Sequence, residues 1–582
     1  MSIQMRTACR CLQIIGINSV LIVGLASIVL LTTNVKKNHK SANYVDESGL
    51  PVVQTTAGKV QGIRVTSNGR YVHAFYGISY AEPPTRHRRF LYPLPKAAYQ
   101  GVFKADTLRA ECPQFPYTFN TEHVNVSSFD EDCLHLNLWT PSLDLEEPPR
   151  AVVVFFYGGS FQNGGNNLPI YDGRHFSSMG DVVVVVPNYR LNIFGFLYTG
   201  TKDAPGNQGI WDQRLALLWV HDNIRQFGGD PERVVLMGQS AGAISVGYHI
   251  ISPLTRHLFK RAIMQSGTPF YKADENKITG PDKVIKIASR LCGSSALGMS
   301  SAVACLRKQP AKALLREASS ILGLKSSSFV PISGDDLLPE DPLVVMHNGS
   351  MEPIDLLIGT TDQEGTYFLQ KLYQAIGVRD PFEMSNAQHA VIIQFLMNYT
   401  LWETPGDLLT QFLRSTKDGS QPRDVVDTLA EAVGDVAMRC PTLYFSDFVS
   451  QHNSSVYCYS YGYKPEKGTF WPSWMGTTHF DDFPFVWGYV FDKPELTSVN
   501  DKDYSSRLIR MWSSFIKNGT IGDIDGVSWP PRTKTSKNCI HLSNQIQPVR
   551  PPKRNTCSLL RKYIVPYHVR LATAVPQVPL MT

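Results

Sequence analysis

A serine between glycines, a late histidine and an acid between the two are the residues of this 582-residue chain best suited to chemistry. Gly238-Gln239-Ser240-Ala241-Gly242 is its single Gly-x-Ser-x-Gly. The motif follows the apolar run Arg233-Val-Val-Leu-Met237 and leads into a helix-length segment, Ala241 to Ile251. A nucleophile at such a strand-to-helix elbow sits in a strained turn with backbone close by, so small neighbours are required. Its hydroxyl then projects above the carboxyl edge of a sheet. A hydroxyl remains a poor nucleophile until a base takes its proton, and the base needs a carboxylate to orient it.

In α/β-hydrolases the chain order is serine, acid, histidine. Gly359-Thr-Thr-Asp362-Gln-Glu364-Gly365 follows the apolar run Ile354-Asp-Leu-Leu-Ile358 and offers two acids, Asp362 and Glu364. Trp474-Met-Gly-Thr-Thr-His479-Phe-Asp-Asp482 supplies a histidine in a loop of small residues near the C-terminus. Acyl transfer also develops an oxyanion, which needs backbone N–H donors held in advance. Tyr157-Gly158-Gly159-Ser160-Phe161 ends the run Ala151–Phe156, the right place for them.

These positions depend on a scaffold. Ala151-Val-Val-Val-Phe-Phe-Tyr157, Val182-Val-Val-Val-Val186, Arg233–Met237 and Ile354–Ile358 are short continuous apolar runs. Strands buried on both faces read that way. Helix-length stretches such as Gln213 to Phe227 separate some of them, so the pattern predicts one large α/β domain built on a mainly parallel sheet. Inserted helices packing over one sheet edge are expected between 373 and 435. Composition agrees with a folded chain: 43% hydrophobic and 18% charged residues exclude disorder and coiled coil. The net charge of +6 comes with no concentrated basic run, so no nucleic-acid partner is expected.

The N-terminus stands apart. No charge falls between Arg10 and Lys36, and Leu12 to Leu31 is apolar enough to cross a bilayer. The expected division is a cytosolic segment 1–10, a signal-anchor 11–33, a stalk 34–48, a catalytic domain 49–570 and a tail 571–582. That makes a single-pass type II membrane protein with a lumenal or extracellular domain; a cleaved signal peptide and secretion are the alternative. Eight cysteines follow this segment, an even number suited to an oxidising compartment, and sequence alone selects no pairing. Cys9 and Cys11 are candidates for palmitoylation or for staying free thiols. Asn125, Asn348, Asn398, Asn453 and Asn518 begin glycosylation sequons.

The chain resembles the type-B carboxylesterase and cholinesterase family of α/β-hydrolases from about Pro51 to about Tyr567. Besides the motifs above, the resemblance rests on Phe75-Tyr-Gly-Ile-Ser-Tyr-Ala-Glu-Pro-Pro84, Glu131-Asp-Cys-Leu-His-Leu-Asn137, Asn207-Gln-Gly-Ile-Trp-Asp-Gln213 and Asn223-Ile-Arg-Gln-Phe-Gly-Gly-Asp-Pro231. It implies an α/β-hydrolase fold and selects Glu364 over Asp362, because the family's acid immediately precedes a glycine. It further implies Gly159, Ser160 and Ala241 as oxyanion donors and Ser266, in Gln265-Ser-Gly267, as a supporting serine beside the triad. The family's disulfide pattern implies Cys112–Cys133, Cys292–Cys305 and Cys440–Cys557. Cys458 and Cys539 are left as a fourth bridge or two buried thiols.

Departures narrow the substrate. Cholinesterases hold a quaternary ammonium on a tryptophan face within the first disulfide loop, a cation–π contact. The segment from Cys112 to Cys133 contains no tryptophan; His123 falls about where one would stand. Lys325-Ser-Ser-Ser328 precedes Phe329-Val-Pro331 where acetyl-specific members carry narrowing phenylalanines, which leaves room for a longer acyl group. Gln239 replaces the family's common glutamate beside the nucleophile. With Gly476-x-x-His479-x-x-Asp482 it is similar to juvenile hormone esterases. The expected activity is serine carboxylic-ester hydrolysis without cofactor or metal. Expected partners are a small ester, the membrane through an uncleaved helix, and a second copy in a homodimer. The competing class is a non-catalytic adhesion protein resembling neuroligins or neurotactin. Such relatives lack the triad, and an adhesion module has no use for an intact one.

Overall fold

Eleven strands form the central sheet of the computed structural model. The structure describes residues 44–45 and 49–558, apart from 116, 120–121, 125–128, 271–273, 294–297, 323–328, 350, 386, 390, 393–420, 469–470, 525, 534 and 551–556. In chain order the strands are β1 (Ile63–Ser67), β2 (Arg70–Ser79), β3 (His135–Thr140), β4 (Arg150–Phe156), β5 (Val183–Pro187) and β6 (Gly229–Gln239). They continue as β7 (Arg261–Gln265), β8 (Asp355–Thr361), β9 (Val456–Tyr461), β10 (Cys539–Leu542) and β11 (Gln547–Val549). Their order across the sheet is β1-β2-β3-β5-β4-β6-β7-β8-β9-β10-β11. From β5 to β10 all neighbours are parallel, while β1, β2, β3 and β11 run antiparallel at the edges.

The apolar runs are continuous because both sheet faces are covered. In β4, Val153 and Phe155 face a layer containing Phe176, Trp487 and Trp512, whereas Val152, Val154 and Phe156 face Ala216, Val220 and Val246. Each such side chain contributes roughly 1.5–3 kcal/mol by leaving water. The expected central strands are therefore all present, and the parallel core needs its crossover helices. One crossover, α1 (Gln208–Asn223), begins five residues earlier than the expected Gln213. Asn207 takes the left-handed conformation at φ +59° before it, and the expected helical end at Phe227 is a separate 3-10 turn, Ile224–Phe227. The second, α2 (Ala241–Ile251), has the bounds expected from the sequence.

Two further helices stand behind the site. Helix α3 (Glu364–Ala375) packs on α4 (Pro422–Gly434) through Leu369, Leu372 and Tyr373 against Val425, Leu429 and Val433. A Cβ on Gly365 would strike the Ala430 carbonyl, so the glycine after Glu364 is what allows this approach. Within the insertion expected between 373 and 435, the described residues include α4 and a 3-10 turn at Pro381–Glu383. On the opposite face, α5 (Val499–Asn518) buries Trp512, Phe515 and Ile516.

Four disulfides are formed among the described residues. Cys112–Cys133, Cys292–Cys305 and Cys440–Cys557 are joined, and Cys458–Cys539 is a fourth bridge rather than two thiols. Pairing of Tyr459 with Ile540 sets Cys458 beside Cys539 on neighbouring strands β9 and β10. Among the described residues no helix is long and apolar enough to cross a membrane; segment 11–33, Cys9 and Cys11 lie outside them. Asn348, Asn453 and Asn518 are exposed, while Asn125 and Asn398 also lie outside the described residues.

Candidate active site

Strand β6 delivers Ser240 to the head of α2 with φ +56° and ψ −124°, a conformation non-glycine residues rarely adopt. The turn is held because the Ser240 N–H donates to the Gln265 carbonyl at 2.9 Å, at the end of neighbouring β7. It is also crowded. A Cβ on Gly238 would strike the backbone of Gly242, and one on Gly242 would strike the Phe156 carbonyl. The two glycines of the motif are thus explained by clearance.

Glu364 and His479 come from loops that are stitched together. The Gln363 N–H donates to the Thr477 carbonyl at 2.9 Å, and the Thr477 N–H returns to Gln363 Oε1 at 2.8 Å. Thr366 and Thr478 hydroxyls meet at 2.7 Å. This pairing sets His479 Nδ1 at 2.6 Å from Glu364 Oε2. Glu364 Oε1 accepts the Ser266 hydroxyl at 2.5 Å and the Thr361 N–H at 2.8 Å. Burial alone would push the Glu364 carboxyl up, but the His479 interaction and these hydrogen bonds outweigh it and hold the group below its ordinary range. A carboxylate ionised in a buried place can stabilise an imidazolium.

Asp362, the other candidate, points elsewhere. Its carboxylate accepts from His541 Nε2 at 2.9 Å, away from His479. Ser266 donates its hydroxyl to Glu364. Gln239 is buried, and its amide nitrogen lies 3.3 Å from His479 Nε2. The imidazole therefore has Glu364 on one nitrogen and the elbow residue beside Ser240 on the other. Tyr367 and Phe368 flank its ring, each with centroids 5.3 Å away.

The glycine loop lies over Ser240. A Cβ on Gly158 would come within 2.8 Å of Ser240 Cβ, and Gly159 takes φ +121°, open only to glycine at low cost. Ser160 follows at φ +56° and is exposed. Across from them, the first N–H groups of α2, that of Ala241 included, have no carbonyl within the helix to meet. The Gly158 backbone and the first turn of α2 thus both border Ser240. Among the described residues no three of His, Cys, Asp and Glu gather as metal ligands.

A model of the Carboxylesterase family matches residues 49–560. The chain belongs to that family. Its eleven-stranded sheet is accordingly an α/β-hydrolase fold in a single domain, and the family's chemistry is serine ester hydrolysis. Acetylcholinesterase-1 of Trittame loki is 33% identical over 531 residues, covering 88% of this chain and 94% of that protein. The acetylcholinesterase of Bungarus fasciatus is 32% identical over 533 residues, covering 86% and 84%.

Sequence reasoning missed the layer beneath this carboxylesterase-family site. Asp482 is fully buried and accepts from Gln265 Nε2 at 2.8 Å and the Tyr459 hydroxyl at 2.7 Å. The network fixes the residue whose carbonyl holds Ser240. Burial raises the Asp482 carboxyl despite these two donors, with the Glu364 charge adding to the rise. Asp481 is also raised by burial, so Glu364 is the acid of the three that favours ionisation. The signal available was Asp482 three residues after His479; its partners lie 217 and 23 positions away. Residues 325–328 and most of 116–128, on which the substrate expectations rest, lie outside the described residues.

Proposed function

We propose that the chain is a serine carboxylic-ester hydrolase working through an acyl-enzyme. Ser240 attacks the ester carbonyl while His479 takes its proton, and Glu364 orients and stabilises the imidazolium. The tetrahedral oxyanion is received by the N–H groups of Gly159, Ser160 and Ala241. His479 then protonates the leaving alcohol, and water activated by the same imidazole releases the acid. The observation that carries this reading is the imidazole between Glu364, 2.6 Å from Nδ1, and the Gln239–Ser240 elbow at Nε2. The closed bridges and the exposed asparagines at 348, 453 and 518 favour a lumenal or extracellular domain, anchored by segment 11–33 or secreted.

The test is labelling with an organophosphate. Ser240 should be the single residue modified, and Ser240→Ala should remove ester turnover while keeping the thermal unfolding of the wild type. A chain that takes no label is an adhesion protein instead. For substrate, the absence of tryptophan between Cys112 and Cys133 removes a face worth on the order of 1–2 kcal/mol to a quaternary ammonium. Neutral esters with butyryl-length acyl groups should therefore show higher kcat/KM than acetylcholine. A clear preference for acetylcholine in competition would return the chain to the specificity named for its two relatives.

A further inference from the structure

Glu111 immediately precedes Cys112, and its side chain is buried. One carboxyl oxygen accepts the Asn167 backbone N–H at 2.9 Å; the other is enclosed with only the Asn188 amide facing it among the described residues. That carboxyl lies against Gly165, where any Cβ would overlap it. Gln114 grips the same stretch from the other side of Cys112. Its Nε2 donates to the Gly164 carbonyl at 2.7 Å, and its Oε1 accepts the Gly164 N–H at 2.8 Å. The stretch is the returning limb of loop 158–167, whose outgoing limb carries Gly159 and Ser160 past Ser240.

We propose that Glu111 is a positioning residue for ester hydrolysis, pinning the returning limb of the loop whose N–H groups receive the oxyanion. The inference rests on the esterase reading above. Burial pushes the Glu111 carboxyl up to about 8, outweighing the Asn167 N–H and the Asn188 amide that faces it. Among the described residues no charged group is placed to balance a charge there. Tyr157 and Tyr171 face it as phenols whose own ionisation burial suppresses. Arg109 lays its guanidinium on the Phe103 ring, 4.7 Å from the centroid, and Arg190 is committed to buried Asp212. On the remaining side, Asp130 donates its backbone N–H to the Glu111 carbonyl, and His135 bonds Ser79 and the Asp132 carbonyl. At neutral pH the acid form therefore seats the limb. Above about pH 8 a carboxylate facing no opposite charge is left buried against Gly165, and the limb gives way. Oxyanion donors act mainly in the transition state, so the loss appears in kcat more than in KM.

The experiment compares wild type, Glu111→Gln and Glu111→Ala from pH 5 to 10, reading kcat, KM and thermal midpoint on the same preparations. Glu111→Ala should lower kcat at pH 7 on the order of ten-fold, and glutamine, neutral and of the same shape, should restore most of it. Wild-type kcat should decline above about pH 8 while that of Glu111→Gln should not. The midpoint gives a readout free of catalysis. A carboxyl whose folded value lies above its unfolded one stabilises fully below the unfolded value and loses that contribution up to the folded one. The wild type should thus fall relative to Glu111→Gln between about pH 4.5 and about 8. Identical pH profiles of kcat and midpoint in the two proteins would overturn the proposal. If the midpoints diverge as expected but no preparation hydrolyses an ester or takes the organophosphate, the esterase reading fails and the catalytic role of Glu111 falls with it.

Discussion

Two histidine–carboxylate pairs hang from one short loop of this molecule. Glu364 meets His479 at 2.6 Å, and Asp362, two residues earlier, meets His541 at 2.9 Å. The first pair has side chains 0% and 4% exposed; the second has 31% and 24%. Chemically the pairs are alike, yet they belong to different regions. His479 lies at the elbow, roofed by Tyr367 and Phe368, with a second residue of the elbow on its free nitrogen. His541 sits on β10, one strand in from the sheet edge, and its partner fills the space above Gly462. The lesson is that a His–carboxylate contact acquires chemical meaning only from what the far nitrogen faces. Burial adds force, because a buried pair loses much when one member is removed, whereas a half-exposed pair is screened.

The strongest way to break this contrast is Glu364→Gln. The amide preserves shape but removes the charge that the imidazolium needs and can favour the wrong tautomer. We expect kcat to fall by about 10³–10⁴. Stability should change in a defined direction too. The Glu364 carboxyl is held below its ordinary range, so its contribution is present above about pH 4.3 and is lost as pH falls through the lower folded value. Unfolding midpoints of wild type and variant should therefore converge in acid. A variant with more than a tenth of wild-type kcat would remove Glu364 from the site.

Much of this contrast was legible beforehand, for local reasons. The elbow was readable because a run of buried apolar residues, a glycine-flanked serine and a helix are consecutive, and α2 begins where Ser240 forces the backbone to turn. Glu364 needed more than spacing, since Asp362 sits equally well after β8; the glycine that decides between them acts by admitting the Ala430 carbonyl. What stayed hidden is long-range. Nothing near Asp482 in sequence announces Gln265 or Tyr459, and the Cys458–Cys539 bridge depends on strand register between β9 and β10. The edge strand β1 and its neighbour β2 were also missed, because partly exposed strands lack the continuous apolar run that marks β4 and β5.

A middle-sized effect should come from Gln239, which sharpens the role of the far nitrogen. Its amide, 3.3 Å from His479 Nε2, can donate to the lone pair of a neutral imidazole. A carboxylate in its place can only accept, and so favours the protonated ring, which would then stand between two carboxylates. Gln239→Glu should move the acid limb of kcat/KM upward by about one pH unit. At pH 6 that is a loss approaching ten-fold, with recovery toward wild-type rates at pH 9. The full pH–rate profile decides it, and an unmoved acid limb would mean that the amide does not govern the base.

The smallest effect belongs to the second pair. Asp362→Asn keeps an oxygen that can accept from His541 Nε2 and removes a charge that solvent already screens. The expected cost is below about 1 kcal/mol of stability, shrinking further in high salt. Turnover should stay within about two-fold of wild type, because the Asp362 backbone is held independently of the side chain. Its N–H donates to the Tyr461 carbonyl at 2.9 Å, and its own carbonyl accepts from Arg439 at 2.6 Å. Those bonds leave the loop geometry, and with it Glu364, untouched by loss of the charge. Thermal unfolding at two salt concentrations and a single kcat comparison with Glu364→Gln are sufficient. Should Asp362→Asn fall as far as Glu364→Gln, the two pairs would have to exchange roles, and the distinction drawn from the far nitrogen would collapse.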